Sequence, residues 1–207
     1  WNTDLKDNLI ALHVGEVALA SQAAYDGLYA ISATQLGRFA VGTLGQVFKT
    51  QGAAAPIFED LIKNYCNAFE STGVQTVLSG ATDVLTLAGE DEDSNAMHST
   101  VTNTNRITIP TGYGGRYLAI GRSLIQWGAS DAVAYLHLRK NTTTRVRARA
   151  DAHTLNEYTD LVVMDFIAMA AGDYFSLAGE AGVNSVSFGS ASASDATRLI
   201  VLGPLAV

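Results

Sequence analysis

The sequence predicts a mainly β protein, an antiparallel two-sheet sandwich preceded by a short helical and Gly-rich N-terminal region. Three observations carry this. Residues 105–181 are a succession of short strand-like runs (NRITIP, GGRYLAIGRSLIQW, AVAYLHLRK, TTRVRARA, DLVVMDFIAMA, AGDYFSLAG) separated by Gly, Asn and Thr, with no helical pattern between them. Strands that return through short turns pair side by side, which is the antiparallel solution. The character of the chain also changes near residue 74, from mixed helical spacing and glycine punctuation to alternation. Finally, 207 residues suffice for a substantial core, and 48% are hydrophobic while only 16% are charged, a charge fraction low enough to suggest that part of the surface is covered by other copies.

Taken in order, Leu5, Leu9 and Leu12 share one helical face, with Asn2 or Thr3 as N-cap, Asp4 and Asp7 in the first turn and Gly15 as a stop. This predicts a short amphipathic anchoring helix that must rest on something else. Residues 25–52 carry five glycines and isolated apolar pairs, which predicts small hairpins or an extended linker. Pro56 then opens a segment in which Phe58, Ile62, Tyr65 and Phe69 recur at helical spacing, so residues 56–73 are expected to form a neck helix between an attachment segment over 1–55 and a head over 74–207.

From Thr76 the alternation begins, with Val77, Val84, Leu85 and Leu87 in two short strands, followed by EDEDSN at 90–95 as an acidic, solvated loop. Residues 116–127 are apolar on both faces: Leu118, Ile120 and Leu124 on one, Tyr117, Ala119, Ile125 and Trp127 on the other. Residues 161–169 and 199–202 share this property. A strand in a sandwich needs only one buried face, so doubly apolar strands require a second packing surface, and contact between subunits is the simplest one. Tyr117, Ile125, Trp127, Val162, Met164, Phe166, Ile200 and Leu202 are the residues expected there. Residues 145–149 instead alternate Arg145, Arg147 and Arg149 with Val146 and Ala148, a half-exposed strand with one cationic face for a ligand or a neighbouring subunit.

These residues resemble a known family. The proline-ended strand before GGRY, the LRKN turn after a tyrosine-bearing strand, the Gly172-Asp173-Tyr174 turn and the terminal RLIVLGPL are similar to the jelly roll of tumour necrosis factors and complement globular heads, in the form found in bacteriophage fibre proteins. WNTDLKDNL and GTLGQVFKTQGAAAP are similar to segments that precede such heads in phage structural proteins. The resemblance implies a homotrimer with doubly apolar strands turned toward the threefold axis, and a virion location on head or tail. Other virion proteins would be held through the N-terminal segment, and a host surface glycan or protein through loops near 90–97, 111–115, 128–131, 140–144 and 182–195. The insertion of FEDLIKNYCNAF departs from the family pattern. A fibre head that binds a receptor and a decoration protein that stabilises the particle both fit, and a glycan-cleaving tail protein is a further reading.

No catalytic residue, metal ligand or cofactor is assigned. His13, His98, His137 and His153 lack ligand spacing, and the acidic run 90–93 lacks the alternation, turn glycine and closing Glu of a calcium loop. No GxSxG, HExxH, P-loop or GxGxxG occurs. Asp160, Asp165 and Asp173 are the acidic residues among or beside strands, and for Asp165 a pair with one of the arginines across an interface is expected. A net charge of −7 argues against a general grip on nucleic acid or an anionic membrane face, and no apolar run is long enough to span a bilayer. No secretion leader is expected at Trp1. Cys66, the lone cysteine, is expected in the core.

Overall fold

A computed structural model describes residues 27–32, 35–44, 46–52, 54–127, 132–151, 158–189 and 197–205. The anchoring positions Leu5, Leu9 and Leu12 lie outside these, as do the loop residues 128–131 and 190–195. Every regular element among the described residues is a strand. The chain divides into two compact units, Trp1–Leu61 and Ile62–Val207.

In the first unit, β1 (Gly27–Ser32) pairs antiparallel with β2 (Gln35–Phe39), and β3 (Gln46–Gln51) with β4 (Ala54–Asp60). These are the hairpins that the glycine-rich stretch predicts. Phe39, Phe48 and Phe58 join them through tilted and edge-on ring contacts with centroids 5.1–5.9 Å apart. Gly42 lies against Phe58 so closely that a Cβ there would overlap the ring.

The neck helix over 56–73 is not formed. Its first residues belong to β4, and Ile62–Phe69 is strand β5, on which Asn64, Cys66 and Ala68 are buried while Tyr65, Asn67 and Phe69 point the other way. The four-three-four spacing of Phe58, Ile62, Tyr65 and Phe69 is an accident of two strands meeting at Leu61. The period that governs the segment is two, carried inward by small or polar residues that leave little hydrophobic signal.

The second unit is a sandwich of two antiparallel sheets. One sheet joins β6 (Gln75–Val77), β15 (Val186–Phe188), β10 (Gly115–Trp127), β16 (Arg198–Leu205), β5 and β8 (Gly89–Asp93), with β13 (Tyr158–Met169) on the other flank of β10. The other joins β12 (Thr143–Asp151), β11 (Val133–Lys140), β14 (Tyr174–Ala181) and β7 (Thr82–Val84), with β9 (Ile107–Thr108) also on β14. The chain crosses between sheets from β10 to β11, β12 to β13, β13 to β14 and β14 to β15, the connectivity of a jelly roll. The acidic run 90–93 is thus strand β8 rather than a loop. Asp93 accepts from the backbone N–H groups of Met97 and His98 at 2.8 and 3.0 Å, and Glu90 meets His98 Nδ1 at 3.1 Å.

Between the sheets lie Trp127, Tyr117, Phe175, Phe188, Leu136, Leu138, Ile125, Leu177 and Val201, all fully buried. The polar atoms of the two largest side chains in this layer have partners. Trp127 Nε1 donates to Thr159 Oγ1 at 3.1 Å, and Tyr117 Oη donates to the Tyr113 carbonyl at 2.6 Å while accepting from Asn64 Nδ2. Burial pushes the Tyr117 phenol up from its ordinary value, and burial with Asp93 and Glu90 nearby pushes the Cys66 thiol up much further.

Candidate functional site

The outward face of the larger sheet is where the sequence-predicted association residues separate into two groups. Tyr117, Ile125 and Trp127 are enclosed by the subunit's own sheets, so they cannot furnish an interface. Alternation marks two apolar faces on β10 but cannot say which one is inward, and the wide aromatic side chains turn out to fill the space between sheets. The exposed side of β10 is Leu118, Ile120 and Leu124. Val162, Met164 and Phe166 of β13 are 54%, 64% and 41% exposed, and Ile200 and Leu202 of β16 are half-buried on the same side.

Strand register assembles these into rows. Phe166 stands opposite Leu118, which stands opposite Leu202, which stands opposite Tyr65; Met164, Ile120, Ile200 and Asn67 form the next row, and Val162, Arg122, Arg198 and Phe69 the third. Directly paired residues project to the same side, so this is one continuous face. At strand spacings of about 4.8 Å and about 3.4 Å per residue these twelve positions, nine of them apolar, cover roughly 400 Å², the size of the largest apolar patch on an ordinary monomer, a patch that is often functional. Tyr65 and Phe69 thus belong to this face, whereas Ile62 stands opposite Leu205 at the end of β5. Phe58 lies in the other unit.

Two of the arginines on this face, Arg122 and Arg198, are already paired within the subunit. Arg122 Nε and Nη2 bind both oxygens of Asp160 at 3.1 and 2.9 Å, while Arg198 donates to Asp91 and lies 4.9 Å from the Phe69 ring centroid. Arg116 sits 5.9 Å over Phe166. Paired and stacked guanidinium groups lower the desolvation cost of covering the surface.

The three arginines of β12 do not form one face. A register shift between Leu138 and Arg139 skips Arg145, which leaves the ladder and reaches Asp165 of β13 at 3.6 Å. Asp165 therefore meets an arginine of its own chain, not one across a subunit interface as its sequence position leads one to expect. Arg147 and Arg149 remain on the outward face of the smaller sheet, with guanidinium carbons 4.9 and 5.9 Å from the Tyr135 ring centroid, and Arg149 also meets Asp151 at 2.7 Å.

The remaining polar groups that could do chemistry are held apart. Asp160 binds Arg122, Asp165 binds Arg145, and Asp173 binds Lys140 at 2.8 Å and Asn141 at 2.9 Å. Hydrogen bonds from Lys140, Asn141 and the Ala170 N–H hold the Asp173 carboxyl well below the usual range, at about 2. His137, beside Arg147, is buried and meets Glu180 at 2.9 Å and Thr144 Oγ1 at 3.3 Å.

No family model and no curated protein matches the chain. Among solved structures, the chain is similar to the globular domain of zebrafish complement 1qA protein, with 10% identity over 67% of this chain and 95% of that one at a TM-score of 0.44. It is also similar to Eiger TNF from S. frugiperda (14%, 70% and 95%, 0.48) and to murine APRIL (11%, 68% and 98%, 0.48).

Proposed function

We propose that the chain is a non-enzymatic, self-associating head whose copies meet as a homotrimer through the outward face of the larger sheet. The observation that carries this is the continuous apolar face formed by Val162, Met164, Phe166, Leu118, Ile120, Ile200, Leu202 and Tyr65, in which Arg122 and Arg198 are matched by carboxylates inside the subunit. Around a threefold axis one side of this face on one copy would meet the other side of the same face on the next, a heterologous contact that closes into a ring. Threefold closure is supported by the sequence resemblance to trimeric jelly-roll heads. That resemblance also supports a place on a phage particle, with the separate N-terminal unit attaching the head to other virion proteins and the head engaging a host surface.

Solution mass tests the association. Light scattering on the purified chain is expected to give three copies of 21.8 kDa, about 65 kDa. Met164→Glu combined with Phe166→Glu is expected to yield monomers that keep the wild-type β circular dichroism. A wild-type monomer at tens of micromolar, or a trimer unaffected by the paired substitution, removes this reading. Adhesion of the intact protein to host cells tests attachment, whereas loss of particle stability on its deletion would favour decoration.

A further inference from the structure

On the outward side of the smaller sheet, a cavity of about 160 Å³ is lined by Arg139 of β11, Tyr174 and Ser176 of β14, and Asn103, Arg106 and Asn141 from two turns. Its chemistry is one-sided: two guanidinium groups and several amides and hydroxyls, with no carboxylate among the lining residues. The nearest acidic group in contact with them, Asp173, is turned to Asn141 and Lys140.

Three details distinguish it from an ordinary surface dent. Arg106 lies 4.7 Å over the Tyr174 ring, which fixes its plane, and its Nε is buried with no hydrogen-bond acceptor among the described residues. A buried donor without an acceptor is retained in native folds only when something offsets its cost. Arg139 sends Nε and Nη2 to the Thr142 carbonyl, which holds the side chain in place and leaves the rest of its donor fork for another acceptor. Asn103 and Asn141 both adopt left-handed backbone (φ 54° and 55°), which asparagine tolerates better than most side chains and which sets the two turns that bring their amides to the cavity. Asn141 is locked there by accepting from the Tyr174 N–H at 2.9 Å and donating to Asp173.

We infer that this cavity binds the carboxylate of an acidic monosaccharide, such as a uronic acid unit at the end of a glycan. Arginine forks match a planar carboxylate, and asparagine amides with the Ser176 hydroxyl suit the hydroxyls of a sugar ring. The inference deepens the attachment reading and rests on it for its biological sense, but it does not depend on how copies associate.

Titration calorimetry of the full-length protein with sodium glucuronate, with glucose and sodium sulfate in parallel, tests it. Saturable glucuronate binding is expected, with neither glucose nor sulfate reaching comparable affinity. Arg106→Gln is expected to weaken binding by about tenfold or more, as loss of a charge-assisted pair does. Lys49→Gln, in the first unit, is expected to leave it unchanged. Should Arg106→Gln not fold, Arg139→Gln is expected to give the same loss. No saturable glucuronate binding, equal binding of sulfate, or equal affinity in both arginine variants overturns the site. Because adhesion to host cells is measured separately, a head that adheres but does not bind glucuronate removes only this inference.

Discussion

Gly121, in the middle of the longest strand, shows how closely the sheets approach. A Cβ at this position would fall well inside contact distance of Leu177 Cδ2 on the facing sheet and 3.0 Å from Val163 Cγ2. Gly121→Ala should therefore overpack the core at a cost of about 1–3 kcal/mol, lowering the melting midpoint by roughly 3–10 °C in differential scanning calorimetry. An unchanged midpoint would mean that the sheets have room to part. His137 reports on charge instead of volume. Burial lowers its pKa from the ordinary 6.5, and the facing Arg147 and Arg139 act in the same direction, while the hydrogen bond and charge of Glu180 oppose them. Above pH 6.5 both folded and unfolded states carry it neutral. As pH falls below 6.5 the unfolded chain binds the proton first, so stability declines there. The melting midpoint of the wild type is expected to drop between about pH 7 and 5 more steeply than that of His137→Gln, which keeps a donor for Glu180; parallel curves would refute this.

At the scale of elements, what the sequence reveals depends on how loudly the inward residues speak. β10, β13 and β16 are legible because their inward positions are mostly apolar, with Ser123, Thr159 and Asp165 as exceptions, and their outward apolar residues leave an exposed face on the sandwich. Which parity of β10 lies inward is not legible, since Tyr117 with Trp127 and Leu118 with Ile120 are equally apolar; cross-strand register decides it. β5 is hidden because its buried set is Asn64, Cys66 and Ala68, whereas its conspicuous aromatics face outward. The cavity around Arg106 is invisible for another reason, in that its members come from residues far apart in the chain and only the β11–β14 pairing brings Arg139 opposite Ser176. The same reasoning separates the stabilities of the two units. A two-stranded hairpin such as β3–β4 is marginal in water, whereas β5 is paired on both sides, by β16 and β8. Native-state hydrogen exchange is thus expected to show β5 amides protected to the level of β10 and those of β3–β4 exchanging far faster, and similar protection in both would contradict the division at Leu61.

For the whole molecule, the decisive question is which force would hold copies together in the proposed trimer. Each chain carries a net charge of −7, so three gathered chains repel one another overall. The proposed contact face offsets this with apolar area, and its ion pairs, Arg122 with Asp160 and Arg198 with Asp91, close within one subunit instead of between subunits. Salt therefore has two effects of the same sign: it screens the repulsion between chains, and it takes no attractive pair away from the interface. Between about 50 mM and 500 mM NaCl the screening length shrinks from about 14 Å to about 4 Å. Over that range sedimentation equilibrium is expected to show association unchanged or tighter. An assembly held by Arg147 and Arg149 reaching acidic residues of a neighbour would behave in the opposite way, and a weakening of about tenfold or more over the same range would move the interface from the apolar face to the cationic one.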